Sequence, residues 1–485
     1  MNLDNAQIAN IVSRVVARLE KNPVGESTTE LTISKPSADL PSKSIGLYAT
    51  VDEAVASARE SFIALADTPL ESRKKFIESM RSAVRAEIKS LSEMAVEETG
   101  LGRVKDKIAK NKLAVEKTPG VEVLQPSAFS GDNGLTIMER APYGIIGSIS
   151  PCTNPVATII SNAIGMIAGG NAVVFNAHPT AKKTTATIIS LLNGAIIKAG
   201  GPANLLTAIE TPTIQSAQEL MTHKDIRMLV VTGGPGVVSV AMKSGKKAIC
   251  AGPGNPPVVV DETANIDEAA KHIVDGASFD NNIVCIVEKE IFCVDSVADN
   301  LLEKMREHGA LKLSPMQIKK VEKLVINRAP EDENDHGEIN KAWVGKDAWK
   351  IAHAIGMEAG EDVRLLVCDV DKNHPLVAME QLMPVIPLVR IKNVDEGIEL
   401  AMKAEHGFGH TAIMHSTNVD NLSKMARVIN TSIFIKNGPS VAGLGFGGEG
   451  YASFTIASPT GEGITTAIHF TRERRCTLKD RFRII

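Results

Sequence analysis

Apolar Ile8, Ile11, Val12, Val15, Val16 and Leu19 recur near helical spacing, with Asn10, Arg14, Arg18 and Glu20 between them, so residues 2–20 predict one short amphipathic helix. From Lys21 to about Lys43 large apolar residues thin out among Pro, Ser, Thr and Gly. Such a segment cannot offset its ordering entropy and predicts a flexible linker. A tethered helix is available to a partner; docking on its own domain or oligomer is the alternative. The pattern resumes at Thr50, which with Glu53 makes a capping box for a helix through about Leu65. A longer helix, near Ser72 to Glu98, stops at Gly100, suited to a left-handed C-terminal position. Gly131-Asp132-Asn133-Gly134, within a turn-rich stretch from Gly120 to Arg140, predicts a hairpin.

Beyond the hairpin the rhythm becomes strand then helix. Tyr143 to Ser150, Asn171 to Phe175, Leu205 to Ile209 and Ile226 to Thr232 have strand character, and a second alternation runs from Pro257-Val258-Val259-Val260 to about Asn437. This predicts two α/β domains with parallel sheets and crossover helices. The most apolar stretch, Val156 to Phe175, is interrupted by Ser161, Asn162 and Gly169-Gly170. It predicts a buried helix feeding a buried strand, not a membrane span.

Size and charge narrow the function classes. A chain of 485 residues can bury two or three cores. Lys+Arg at 53 against Asp+Glu at 57 leaves a net charge of -4, with no general electrostatic reason to bind nucleic acid or an anionic membrane. Cys152, Cys250, Cys285, Cys293, Cys368 and Cys476 form no C-x-x-C pair and have no His at zinc-ligand spacing, so neither a metal site nor a disulfide framework is expected. The compartment expected is reducing and cytoplasmic. The N-terminus lacks the unbroken apolar centre of a secretory signal, and Asp4 and Glu20 are out of place in a mitochondrial presequence. Arg472, Arg474, Arg475, Lys479, Arg481 and Arg483 make the last segment basic. A solvated or subunit-bridging edge strand is favoured there over a phosphate site.

Candidate chemistry centres on Ser278-Phe279-Asp280-Asn281-Asn282-Ile283-Val284-Cys285-Ile286-Val287-Glu288-Lys289-Glu290, a thiol between a polar turn and a β-type apolar run. Taken alone, such a cysteine is ordinarily a small buried hydrophobe. Asn154, after an apolar strand and before Pro155, would on its own be a turn residue or helix cap. Thr232-Gly233-Gly234-Pro235-Gly236 follows a strand and opens a helix, where small residues let backbone amides approach a pyrophosphate. It is not G-x-G-x-x-G, and a purely structural turn looks the same. Glu380, a lone carboxylate before a strand, would ordinarily be a surface charge.

These motifs stand in one order with Ile149-Ser150-Pro151-Cys152-Thr153-Asn154-Pro155, Ala251-Gly252-Pro253-Gly254-Asn255-Pro256-Pro257, His406-Gly407-Phe408-Gly409-His410 and Ser458-Pro459-Thr460-Gly461-Glu462-Gly463. Over about residues 46 to 478 the chain resembles the CoA-acylating aldehyde dehydrogenases of bacterial microcompartments. The resemblance implies an aldehyde dehydrogenase-like α/β fold. Residues 46–256 would be a variant Rossmann NAD-binding domain with an oligomerisation hairpin at 120–141, residues 257–440 the catalytic domain, and residues 441–485 a return to the cofactor domain with an oligomerisation tail. Residues 1–20 resemble an encapsulation peptide and 21–45 its linker, implying a shell or cargo partner inside a microcompartment. A homo-oligomer is also implied.

For the site, the resemblance implies that Cys285 adds to a short aldehyde such as propionaldehyde and that hydride leaves the thiohemiacetal to NAD, giving a thioester. Asn154 and the Cys285 backbone N–H would hold the alkoxide, while Pro151, Thr153, Gly233, Gly234 and Gly252 would line the dinucleotide pocket and Glu380 would meet the nicotinamide ribose. Hydrolytic relatives carry Glu-Leu-Gly-Gly, whose glutamate activates water; here Ala251-Gly252-Pro253-Gly254 has no carboxylate. Loss of a general base costs roughly a hundred- to ten-thousand-fold. Coenzyme A, a thiol, would take the acyl group instead. Three departures qualify the match: Pro151-Cys152-Thr153 replaces the Pro-Trp pair of hydrolytic relatives, Ile283-Val284 replaces a Leu-Pro before the cysteine, and Asn176-Ala177-His178-Pro179 offers no acid to select NAD over NADP. His406 and His410 would assist CoA deprotonation or be structural. The alternatives are a hydrolytic aldehyde dehydrogenase and a non-catalytic interaction protein working through its N-terminal helix.

Overall fold

The expected capping box forms: the Glu53 amide donates to Thr50 Oγ1 at 3.3 Å and the Thr50 amide to Glu53 Oε2 at 3.2 Å, opening helix Val51–Ala66. The long helix spans Leu70–Thr99, beginning after Pro69 and leaving through Gly100 at φ 68. The computed structural model describes residues 45–332 and 335–484, so the helix expected at 2–20 and most of its linker lie outside the described residues. Among the described residues no helix is long and apolar enough to cross a membrane.

The first alternation builds a six-stranded, all-parallel sheet in the order Leu47–Tyr48, Leu206–Ile209, Ala172–Ala177, Ile145–Ser150, Ile226–Thr232, Lys247–Ala251. The apolar stretch folds as expected, with helix Pro155–Ala168 buried on every side and strand Ala172–Ala177 buried throughout. The chain leaves Ile145–Ser150 toward one side of the sheet and returns on its other side as Ile226–Thr232. A crevice therefore opens beyond the carboxyl ends of these two strands, the usual ligand position in a doubly wound sheet. Pro151 and Gly233 are the first residues out of them.

The second alternation builds a seven-stranded parallel sheet in the order Ala310–Lys312, Leu365–Val370, Val385–Ile391, Glu290–Val294, Pro257–Val260, Thr411–His415, Ile433–Lys436. A third sheet is antiparallel: Ser127–Gly131 and Gly134–Pro142 form the expected hairpin, and Thr471–Lys479 returns to pair along Gly134–Pro142. Arg472, Arg474, Arg475 and Lys479 thus lie on an exposed edge strand.

One expected element is absent. The apolar run around Cys285 is not β-structure. Asp280, Asn281 and Asn282 hold three successive left-handed conformations, φ 48, 54 and 67, tolerable for Asp and Asn but incompatible with extended pairing. The chain then coils, with the Val287 amide on the Val284 carbonyl at 3.2 Å, and the strand begins only at Glu290. Val284 and Ile286 are apolar because they are buried, not because they pair.

Candidate active site

The two sheets meet the site with opposite ends. The first contributes the carboxyl ends of its strands. Pro151, Thr153 and Asn154 are half-buried in the loop after Ile145–Ser150. Gly234 is the N-cap of helix Pro235–Met242, and the Gly233 amide donates to the Ala251 carbonyl at 3.1 Å, placing Gly233 beside the strand end that leads into Gly252. A Cβ built on Gly234 or Gly236 meets nothing within 4 Å, whereas one on Gly252 comes to 3.0 Å from the Pro459 ring. Small residues, a helix N-terminus and open space at the crevice fit a dinucleotide pyrophosphate.

The second sheet contributes the amino ends of its strands. Cys285 precedes Glu290–Val294, Gly254 precedes Pro257–Val260, Glu380 precedes Val385–Ile391, and His410 precedes Thr411–His415. Gly252 to Asn255 bridges the sheets and passes against the thiol segment: a Cβ on Gly254 would lie 2.7 Å from the Cys285 carbonyl oxygen and 2.9 Å from His410 Cγ. The Gly254 amide points at Glu380 Oε1, 3.5 Å away. Glu380 is thereby turned inward, correcting its ordinary reading as a surface charge.

Cys285 is half-buried, and its sulfur lies in a charged setting. Burial, then the Glu380 carboxylate, pushes the thiol up to about 12, while Lys289 and Lys110 pull the other way. Lys289 is fully buried, donates to the Asn282 carbonyl at 2.9 Å and to Asn282 Oδ1, and is lowered by burial to about 8. Asn282 Nδ2 donates to the Ala277 and Glu288 carbonyls at 2.8 and 2.9 Å. The segment carrying the thiol is therefore a closed loop, pinned at both ends by Asn282 and Lys289.

Asn154 is the N-cap residue of helix Pro155–Ala168 and its carbonyl accepts from the Thr158 amide at 3.0 Å, but its side chain makes no cap bond and is turned to other partners. Its Oδ1 accepts from Lys110 Nζ, and its Nδ2 donates to Thr153 Oγ1 at 3.2 Å. Lys110 also bonds Asp280 Oδ2 and, lowered by burial, sits at about 8. One helical turn back, Lys107 Nζ bonds the same Asp280 Oδ2 at 3.2 Å and the Thr153 carbonyl at 3.1 Å. The structure thus brings Cys285, Glu380 and Gly254 together, ties Asn154 to the same setting through Lys110, and sets Gly233 and Gly252 side by side at adjacent strand ends.

Sequence reasoning missed most of the charge. Lys107, Lys110, Asp280, Glu288, Lys289, Glu290 and Glu405 are buried. Glu288 accepts from the Ser440 amide and hydroxyl at 2.8 and 2.6 Å and is raised by burial to about 7. Burial raises Glu290 well above the usual carboxylate range, and its two carboxyl oxygens meet no hydrogen-bond partner among the described residues. His410, lowered by burial to about 4, is neutral at pH 7; Nδ1 meets Thr411 Oγ1 at 2.8 Å and Nε2 meets no partner among the described residues. His406 Nε2 instead bonds the Ala378 carbonyl at 2.8 Å. A faint signal was present: three adjacent charges, Glu288-Lys289-Glu290, run straight into a β-strand.

Comparison with known proteins identifies the family. The family model "Aldehyde dehydrogenase family" matches residues 43–458. An acetaldehyde dehydrogenase (acetylating) of Bilophila wadsworthia is 50% identical over 490 residues, covering 100% of both chains. A propanal dehydrogenase (CoA-propanoylating) of Salmonella typhimurium is 45% identical, covering 90% of this chain and 93% of the relative. Among solved structures, a propionaldehyde dehydrogenase of Rhodopseudomonas palustris with bound CoA and an acylated cysteine superposes with TM-score 0.87 at 45% identity, covering 90% of this chain and 98% of that one. Another, from the Clostridium phytofermentans fucose utilisation microcompartment, superposes with TM-score 0.88 at 44% identity, covering 91% and 100%. The chain belongs to the aldehyde dehydrogenase family.

Proposed function

We propose that the protein oxidises a short-chain aldehyde of two or three carbons to the acyl-CoA, with a nicotinamide dinucleotide, read as NAD, and coenzyme A as acyl acceptor. The observation that carries this reading is that the bridge passing against the backbone of the Cys285 loop, Ala251 to Gly254, supplies no carboxylate. The relatives that acylate CoA support it, and they divide between acetaldehyde and propanal.

Cys285 enters the reaction as a thiol and releases its proton to solvent water as sulfur adds to the carbonyl carbon, with Lys289 and Lys110 favouring the negative charge. The aldehyde oxygen becomes an alkoxide, and Asn154 Nδ2 and the Cys285 amide are the donors offered to it. Pro151, Thr153, Gly233, Gly234 and Gly252 would hold the dinucleotide, and Glu380 would meet its nicotinamide ribose. The nicotinamide, when bound, supplies the hydride acceptor. Loss of hydride leaves Cys285 as a thioester. Without a carboxylate at position 251 water is poorly activated, and the thiol of coenzyme A takes the acyl group by thioester exchange, restoring Cys285. The test is NADH production from acetaldehyde and propionaldehyde with and without coenzyme A. Acyl-CoA formed in step with NADH is expected; equal NADH in both, with free acid as product, rejects the reading in favour of hydrolysis.

We propose residues 1–20 as an encapsulation peptide and the three-stranded sheet as the seat of a homo-oligomer. The fucose-microcompartment relative supports a microcompartment setting for the first, and the exposed edge strand Thr471–Lys479 supports the second. A fluorescent protein fused to residues 1–20 should co-purify with microcompartment shells, and a diffuse signal rejects that role.

A further inference from the structure

Three observations converge on one helix face. Lys107 and Lys110, three residues apart on helix Val104–Lys117, both reach Asp280, five residues before the thiol. Both also reach the Pro151–Asn154 loop, Lys107 through the Thr153 carbonyl and Lys110 through Asn154 Oδ1. All three charged side chains are buried, and Gly102 leaves the necessary space: a Cβ there would lie 2.1 Å from Asp280 Oδ1. Asp280 Oδ1 is occupied by the Arg103 amide at 2.7 Å, and the Asp280 amide donates to Asp106 Oδ2 at 3.0 Å, so its carboxylate is fixed in place.

We propose that Lys110 is a positioning residue that sets which end of the Asn154 amide faces the substrate. This rests on the reading above, in which Asn154 donates to the alkoxide on Cys285. A carboxamide presents a donor at one end and an acceptor at the other, and the two have nearly the same shape. An ammonium has only donors. The end of Asn154 that touches Lys110 must therefore be oxygen, and its NH2 is driven outward. One N–H rests on Thr153 Oγ1 and the other is left for the substrate oxygen. Without the ammonium the amide could turn and present its carbonyl oxygen to a developing negative charge, which opposes the reaction. Lys107 shares the anion and the helix face but bonds only backbone in the loop, so it holds the loop without orienting the amide.

The test is a double-mutant cycle on the intact enzyme, reading the single-turnover rate of NADH formation. Asn154→Ala should lose roughly a hundred- to a thousandfold, as for removal of one alkoxide donor. Lys110→Met should lose at least about tenfold in this rate with KM values unchanged, and the loss should fall to within about twofold when made on top of Asn154→Ala. Lys107→Met should lose less, and by the same factor with or without Asn154. If Lys110→Met does not give folded protein, Lys110→Gln, whose head offers an acceptor as well as donors and so no longer dictates the end of the amide it meets, takes its place in the cycle. A wild-type rate in Lys110→Met, a loss that persists undiminished in the Asn154→Ala background, or the same Asn154-dependent loss from Lys107→Met overturns the assignment. Mass spectrometry separates this from failure of the underlying reading: wild-type protein with aldehyde and NAD must acquire an acyl adduct on Cys285. If the wild type acquires none, the reading falls and takes this inference with it.

Discussion

The loops of the first sheet and those of the second face one site with opposite physical means. On the first sheet's side the surface is backbone: Gly233, Gly234 and the N-terminus of helix Pro235–Met242, with empty space where side chains would stand at Gly234 and Gly236. On the second sheet's side it is buried ionisable side chains, Lys289, Glu288 and Glu290 directly after the Cys285 loop and Glu405 bonded to the His410 amide. A dinucleotide brings its own charge and needs room and amides. A thiol must acquire charge during the reaction, and a buried, fixed electrostatic environment stabilises it without reorganising.

The sharpest way to break this comparison is at the sulfur. Cys285→Ala should lower NADH production by more than about a thousandfold while the protein still binds NAD, because removal of a nucleophile abolishes covalent catalysis without touching the first sheet. Dye-free NAD titration by calorimetry alongside the rate assay checks both halves; loss of NAD binding would show that the two sides are not separable.

The next effect concerns ionisation. With the thiol held up at about 12 by burial and Glu380, the thiolate fraction in the free enzyme should rise about tenfold per pH unit across pH 7 to 10, roughly a thousandfold in all. Alkylation of Cys285 by iodoacetamide, followed by peptide mass spectrometry, should show this slope. A plateau near neutral pH would mean that Lys289 and Lys110 outweigh burial.

The sequence revealed these two sides unequally, for the same physical reason. Strand-helix alternation, the capping box at Thr50, the hairpin at Gly131 to Gly134 and the glycine turn after Thr232 are local patterns, each made by neighbours in the chain. The order of the motifs, which resembles that of a known family, singled out Cys285, Asn154 and Glu380. The electrostatic setting of Cys285 is not local. Asp280 meets Lys107 and Lys110 across about 170 positions, Glu288 meets Ser440 across 152, and no periodicity announces such pairs. The apolar run beside the cysteine even pointed to a strand, because burial and β-pairing select the same side chains. Only Asp280-Asn281-Asn282, three residues tolerant of left-handed backbone, hinted at the coil.

Asp280 is where the charged side is most vulnerable. Asp280→Asn leaves Lys107 and Lys110 buried without their anion, and breaking a buried ion pair from one side costs about 3–5 kcal/mol. Urea unfolding should register a loss of that order. A change under about 1 kcal/mol would mean that water or a rearranged Asp106 takes over the pairing, and that the charge is less enclosed than the packing indicates.

Two glycines give the gentlest and most direct contrast. Gly254→Ala puts a methyl 2.7 Å from the Cys285 carbonyl and 2.9 Å from the His410 ring, neither at the free end of a flexible side chain. Overpacking of this kind costs about 1–3 kcal/mol and should also lower kcat by displacing the thiol loop. Gly234→Ala meets nothing within 4 Å at an ordinary φ of -69, so stability should stay within about 0.5 kcal/mol. On the proposed function its methyl instead occupies space that the pyrophosphate would take, and the KM for NAD should rise about tenfold with kcat little changed. If the two variants instead gave the same profile, both losing stability or both raising only KM, the division between a backbone side and a charged side would fail. The sign of each difference is set by what the new methyl meets: fixed protein atoms at Gly254, an incoming ligand at Gly234.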